Sequence, residues 1–551
     1  MGRERKIGIR NNFTNSKRFL KIEGSLSLTV VWASICLLLT LCILLPLVVV
    51  FLTPRAADFT SVASSAIWKK AALNTLLEVL CSTSASVLIG FIYAYAVVKG
   101  CIPCKKFFAV VPLIHLVTPP FVGGLAFILL LGRQGFITKT LFGLDVSLYG
   151  FPGLLIAQTL CFFPMAYMIC AQTLENIDAS LIRAANGLGA GRLKTFFKIT
   201  LPLAFPGIIS SVLYIAVSVM SDFGNPMIVA GRYKVLAVEI YTQLTGWVNG
   251  GTSAVLGIIL VIPSLILFVL YNKFAAANSK KSATKGGNSH LLPEEKPAVL
   301  TRVLLTLFCV FITLCVIAQF AAIVAGSFQK LWGIDFGFTL KHIKAISKCG
   351  RELWNSVRFS LEAAVLSTLI ALLAAFFVFR TKSPLKKYID SVIQLPAAIP
   401  GTLFGLAFLL TASKVNFHNS SVMIVIAITA GFIPFSYRSI STAFMQIKST
   451  LDDGAKALGA SDLRLLFSII LPLSLDGVFN SFIYDFVRGV GTMSAVIFLV
   501  SFDTPLSSIK ILNLAEQGFW GDAAALALVL TIITFGVLLL GKLVIKLWGK
   551  R

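Results

Sequence analysis

Acidic residues are scarce in this sequence. Asp and Glu number 23 against 48 Lys and Arg, and charged residues of both signs fill only 13% of 551 positions, about half the share found in ordinary globular domains. That is too little charge for a soluble surface, and a mean hydropathy of +0.89 cannot be hidden in soluble cores, so a cytosolic enzyme is excluded. A disordered regulator is excluded as well, because 57% of the residues are hydrophobic and disorder needs low hydrophobicity. Histidine is rare: His115, His290, His342 and His418 are scattered, and only His115 lies deep in an apolar run, where a buried structural histidine is the ordinary reading. The 10 cysteines are too sparse for a disulfide scaffold and mostly sit in apolar runs as small hydrophobes. Cys101 and Cys104 form a C-x-x-C without the second ligand pair that a structural zinc site needs.

What is abundant is long apolar sequence. Runs near the length of a membrane helix, about 20 residues, fall at 28–53, 72–98, 106–131, 150–172, 203–229, 253–275, 300–324, 357–379, 388–411, 421–445, 472–499 and 522–547. The first is too long for the apolar core of a signal peptide and lacks a clear cleavage site, so it is expected to anchor. The net charge of +25 would suggest nucleic acid in a soluble chain, but here the basic residues punctuate the runs. With both termini inside the cell, the inside segments hold about 31 Lys and Arg and the outside loops about 14, the bias of the positive-inside rule. The expected fold is all-α and integral to the membrane, with about twelve transmembrane helices.

The polar stretch at 273–299, rich in Lys, Ser, Gly and Asn, reads as a cytoplasmic linker. It divides the chain into two six-span halves, 1–272 and 300–551, and the halves repeat each other. Gly124-Leu125-Ala126-Phe127 recurs as Gly405-Leu406-Ala407-Phe408, and Asn74 as Asn355, both at an offset of 281 residues; Phe162, Pro164 and Tyr167 recur as Phe432, Pro434 and Tyr437 at an offset of 270. Six spans return each half to the same side of the membrane, so the duplication is parallel.

The most informative repeat lies on the expected cytoplasmic side, at 175–207 and again at 447–477. In each copy a small-residue-rich helical stretch precedes a Gly, and a Leu-Pro stands just before the next span. Gly stops a helix and Pro starts one, so the expected shape is a short helix lying across the membrane face. The spacing resembles the EAA loop of permease subunits from binding-protein-dependent ABC importers. The matching residues are Arg183, Ala184, Ala185, Gly189, Ile199, Leu201 and Pro202 in the first copy, and Asp453, Gly454, Ala455, Gly459, Ile469, Leu471 and Pro472 in the second. Arg183 and Asp453 depart from the family's Glu, and Gly454 from its Ala. The resemblance implies two tandem permease halves in a bacterial inner membrane with both termini cytoplasmic. It implies two cytoplasmic ATPase subunits on which the loops seat, and an external or periplasmic solute-binding protein.

No motor is expected on this chain. Gly536 to Lys542 imitates a phosphate loop, but Leu543 replaces the Ser or Thr that would hold magnesium, so ATP and magnesium belong to the partner ATPases and the permease is not itself an enzyme. The fused arrangement is similar to the ferric iron permease family and its relatives for 2-aminoethylphosphonate, thiamine and polyamines. The stretches 221–231 (SDFGNPMIVAG) and 235–246 (VLAVEIYTQLTG) carry the resemblance to the ferric iron and aminophosphonate members, and ferric iron is the first expectation.

Ionisable residues inside spans mark pathways by default, which makes Asp222, Asp485, Arg488, Glu78 and Glu362 the candidate transport path. Asp485 and Arg488 are three apart and can pair on one helix. Gly224 and Pro226 follow Asp222 and would interrupt the fifth span. Arg358 and Arg438 lie near span ends and can snorkel. No metal-ligand cluster is expected. An ion-coupled secondary transporter would also have about twelve spans, but it has no use for two matching docking loops.

Overall fold

A computed structural model describes residues 26–117, 120–145, 148–283, 298–381 and 385–548. Among them ten helices are long and apolar enough to cross a membrane, and two sharply bent helix pairs bring the number to twelve. The chain is an all-α membrane protein. The first six spans are Val30–Leu52, Ala66–Val98, Val122–Leu141, Phe151–Glu175, Arg192–Met220 and Gly250–Phe274. The second six are Val299–Phe328, Lys341–Arg380, the pair Lys386–Ala398 with Gly401–Lys414, Ser420–Gln446, the pair Asp462–Leu473 with Leu475–Val490, and Trp520–Leu543. The helix of the sixth span continues to Ala283, into the stretch read as a linker, whose residues 284–297 lie outside the described residues.

The second span shows why such sequences pack as they do. Thr75, Ser82, Ser86 and Gly90 recur at helical spacing and are buried, whereas Leu73, Leu80 and Leu88 face outward as a lipid-directed surface should. The small face admits the fourth span so closely that a Cβ on Gly90 would stand 2.4 Å from the Cβ of Ala166.

Two expected spans are interrupted. Of the third, read as one helix over 106–131, the structure describes helices Lys105–Val117 and Pro120–Leu131. The ninth, read over 388–411, turns by 111° between its two helices, where Pro400 blocks continuous hydrogen bonding. The eleventh, read over 472–499, bends by 77° around Ser474 and ends its helix at Val490. Residues 491–499 are turns and irregular chain, although Val496 and Leu499 are fully buried. Apolar sequence reports burial, and irregular backbone is tolerated at membrane depth where protein surrounds it. The fifth span likewise ends at Met220, and a short helix, Gly224–Val229, follows it.

The halves exchange their first spans. The end of the first span, Leu45–Leu52, packs on Gly401–Lys414 of the second half, and Val299–Phe328 packs on Pro120–Leu131 of the first. Hydrogen bonds also join the halves: the Thr40 and Tyr388 hydroxyls lie 2.5 Å apart, and those of Tyr93 on the second span and Thr313 on the seventh 3.4 Å apart. A small hairpin, Gln329–Leu331 paired with Asp335–Phe338, follows the seventh span, and Trp332 within it donates its indole N–H to the Leu129 carbonyl at 2.9 Å. One continuous apolar core runs through both halves.

Candidate functional site

The two repeated loops fold alike. Each is a short helix, Ala179–Gly187 or Thr450–Ala457, closed by Gly189 or Gly459, both at φ +79°. The hydrogen bonds match one for one. Ala190 N–H reaches the Ala185 carbonyl and Gly189 N–H that of Asn186, while Ala460 reaches Ala455 and Gly459 reaches Lys456. This is the Schellman closure, in which the residue after the cap must be left-handed and glycine takes it without strain. A second short helix follows, Arg192–Thr195 or Asp462–Leu465, then a π-helical turn, Phe196–Thr200 or Leu466–Ile470. Leu201-Pro202 and Leu471-Pro472 then open the next span, with Pro in the first turn.

Within these loops Arg183 and Ala185 are half-buried and Ala184 is exposed, whereas Asp453 and Gly454 are exposed and Ala455 is buried. Ile199, Leu201, Ile469 and Leu471 are half-buried, and Pro202 and Pro472 face outward. Sequence reasoning passed over the residue before each Gly. Leu188 is 89% exposed and Leu458 91%, so each loop carries a bare leucine at its tip. The available signal was the Leu-Gly pair present in both copies. Also overlooked was Arg380, which ends the eighth span. Its guanidinium sits 2.8 Å from the Asp452 carboxylate, nearly out of solvent, and donates to the Ile447 carbonyl at 2.8 Å, fastening the second loop to a membrane helix. Each loop is tied internally at one equivalent position. Thr195 donates to Asn186 at 3.2 Å in the first, and Lys456 pairs with Asp462 at 3.1 Å in the second.

Between the halves lies a cavity of about 320 Å³. The fifth and eleventh spans present Tyr214 and Tyr484 to it from equivalent positions, and Asp222, Arg438 and Arg488 also line it. The structure thus brings Asp222 and Arg488 together from opposite halves. Glu78 stands behind Asp222: the Gln158 side-chain amide donates to Glu78 Oε1 at 2.6 Å and to Asp222 Oδ2 at 3.0 Å, and Ser82 donates to Gln158 Oε1 at 2.8 Å. Asn225 Nδ2 donates to Asp222 Oδ2 at 2.9 Å, so the break in the fifth span is held by side chains from three elements.

The other candidates lie elsewhere. Asp485 does not close the anticipated pair with Arg488. It is fully buried and accepts a hydrogen bond from Ser436 on the tenth span at 2.5 Å, because the helix turns it away from the cavity. Glu362 is on the outer face of the eighth span, paired with Arg358 at 2.8 Å. Arg438 lines the cavity instead of snorkelling, held by Asn272 and Gln394 at 2.7 and 3.1 Å. His115 is buried and its ring packs on Phe163 and Phe320.

A further pair of joints lies on the face opposite the loops. Asn74 Nδ2 donates to the Lys234 carbonyl at 2.9 Å, and Asn355 Nδ2 to that of Pro505 at 3.1 Å. The following residues, Thr75 and Ser356, accept from Leu236 N and Ser507 N at 2.9 and 2.8 Å. Those amides open the helices Leu236–Thr245 and Ser507–Glu516. Tyr233 adds a bond to the Asn74 carbonyl at 2.8 Å, and burial, helped by the Glu78 carboxylate, pushes its phenol up to about 12, keeping it a donor.

The family described as binding-protein-dependent transport system inner membrane component matches residues 71–280 and 367–549, once in each half. The chain is 30% identical over 449 residues to the ferric transport system permease protein FbpB of Actinobacillus pleuropneumoniae, covering 79% of this chain and 64% of that protein. It is 30% identical over 414 residues to a putative ferric transport system permease protein of Haemophilus influenzae, covering 72% and 65%. The chain thus spans less than two thirds of the length of those two relatives. A putative 2-aminoethylphosphonate transport system permease protein of Salmonella typhimurium is 26% identical over 254 residues, 44% of this chain and 93% of the relative.

Proposed function

The chain belongs to the family of inner membrane components of binding-protein-dependent transport systems, and from that premise we propose that it is the permease of an ATP-driven importer whose first cargo is ferric iron. In this reading residues 1–272 and 300–551 are two permease halves joined by a linker at 273–299, with the loops and both termini in the cytoplasm. Each short loop helix seats in one of two ATPase subunits, which bind ATP and magnesium and perform the hydrolysis. A solute-binding protein delivers cargo to the opposite face, and the cavity between the halves is the path whose access alternates.

The observation that carries the reading is the pair of loops with superposable hydrogen bonds and bare leucine tips. Exposed leucines at the end of a rigid helix are what a groove on a partner can take up as anchors. The Arg380 to Asp452 ion pair supplies a mechanical link, so that moving the loop pulls on the eighth span. Ferric iron is favoured by the names of the two relatives aligned over most of this chain. The same importer class for 2-aminoethylphosphonate is the second reading, supported by the relative aligned over 44% of the chain.

The test is uptake of radiolabelled Fe(III) by ATP-loaded vesicles holding the permease with its ATPase and binding protein. In the Gly189→Glu/Gly459→Glu double variant uptake is expected to fall at least tenfold while the permease stays in the membrane. Undiminished uptake in that variant would remove the docking role. Uptake of labelled 2-aminoethylphosphonate in place of iron would keep the importer and change its cargo.

A further inference from the structure

The charge on the walls of the central cavity has a sign. Two guanidiniums line it, Arg438 from the tenth span and Arg488 from the eleventh, and among the described residues neither forms an ion pair with a carboxylate. Arg438 is oriented by neutral groups only: Gln394 and Asn272 accept from it, and the rings of Phe268 and Tyr271 lie 5.5 and 5.3 Å from its carbon. These contacts fix the guanidinium without neutralising it. Arg488 also borders a second space of about 210 Å³ together with Lys542. Among the described residues Asp222 is the only acidic one on the cavity wall, and Gln158 and Asn225 already engage it.

Unpaired guanidiniums inside a membrane protein are costly and persist where they act on a charge that comes and goes. The forked donors of Arg match the paired oxygens of carboxylates and phosphates, and rings of Arg or Lys select anions in pores. The asymmetry strengthens the case. At the equivalent positions of the first half, 270 residues earlier, stand Met168 and Ser218, so both cations belong to the second half and neither is demanded by the repeated fold. A volume of about 320 Å³ also falls at the lower end of small-ligand sites.

We propose that this cavity passes a solute bearing oxyanion groups, which Arg438 and Arg488 hold by bidentate hydrogen bonds during transit. The proposal rests on the importer reading and refines its cargo: ferric iron crosses here as a complex whose carboxylate or phosphate oxygens face the two arginines, because a bare trication would be repelled by them. A phosphonate uses the same chemistry without a metal.

The first experiment reads the field in the cavity and does not depend on the cargo. Ser218→Cys places a thiol on the cavity wall, and its rates with a sulfonate-bearing and a trimethylammonium-bearing methanethiosulfonate are each divided by the rate for 2-mercaptoethanol and compared with the unsubstituted chain. The anionic reagent is expected to be favoured at least tenfold. Adding Arg438→Gln and Arg488→Gln should remove the preference, and Arg438→Lys with Arg488→Lys should retain it, which separates lost charge from lost fold. A ratio at or below one in the Ser218→Cys protein overturns the proposal. The second experiment supplies the full importer with Fe(III) bound to carbon-14 citrate or phosphorus-32 phosphate, and separately with carbon-14 2-aminoethylphosphonate. Iron entering with one oxyanion label supports the proposal, as does entry of the phosphonate alone, which would remove the iron reading while leaving the anion path. Iron entering with neither label overturns the anion path and leaves the iron importer standing.

Discussion

Glycines at two kinds of position behave oppositely in this protein. At Gly90 the backbone is ordinary and the space is not: a Cβ would meet Ala166 Cβ at 2.4 Å and the Tyr167 backbone nitrogen at 2.8 Å. Gly90→Ala is therefore expected to cost about 1 to 3 kcal/mol by overpacking, read as a lower melting temperature of the detergent-solubilised protein. At Gly189 nothing stands within 4 Å but φ is +79°, so Gly189→Ala should cost only about 1 to 2 kcal/mol of left-handed strain, confined to the loop. A Gly90→Ala variant that melts like the unsubstituted chain would contradict the packing of the second span on the fourth. The buried amide of Gln158 is a third case. It serves both Glu78 and Asp222, so Gln158→Leu strips a donor from two carboxylates and should lower stability by about 2 kcal/mol or more. Leucine tolerated there without a change in melting would show that the amide is dispensable. Sequence reading identified Glu78 and Asp222 from their charge, but Gln158 is neutral and 76 residues separate it from its donor Ser82, a distance no local pattern spans.

At the scale of elements, the repeat is preserved in capping as well as in sequence. Leu236–Thr245 and Ser507–Glu516 each begin on an amide that donates to a hydroxyl of a distant membrane helix, in place of the local cap most helices use. Thr75→Val keeps the shape and removes the acceptor, leaving a buried N–H without a partner, at about 1 to 2 kcal/mol. Exchange of the Leu236 amide with deuterium should quicken by roughly tenfold, since 1.4 kcal/mol is one decade. Ser356→Ala should do the same at Ser507, and an unchanged rate in both would mean that the hydroxyls do not hold these helices. The repeated Asn74 and Asn355 were visible as a match in the sequence. Their partners Lys234 and Pro505 were not, because a carbonyl carries no sequence identity.

For the whole molecule, the exchange of first spans predicts obligate partnership. Each half lays its first span on the third span of the other, so cutting the chain between 283 and 298 and producing both pieces together should yield a complex that co-purifies. Either piece produced alone should aggregate or be degraded, having lost the surface that covers its third span. A monodisperse first half would argue that the crossed contacts are incidental.

The sequence by itself determined the membrane class, the number of apolar runs, the duplication and the loop spacing, because these are local or periodic properties: about 20 apolar residues must span a bilayer, and a Gly that ends a helix does so through its own backbone. Only the tertiary structure decided where those runs break, which half covers which, and which charged side chains share a cavity. Asp485 and Arg488 are three residues apart on one helix, yet one is sealed against Ser436 and the other faces the cavity beside Arg438. Hydropathy gives the depth of a residue in the membrane, whereas its direction around the helix depends on the neighbours that pack there, and those come from distant parts of the chain.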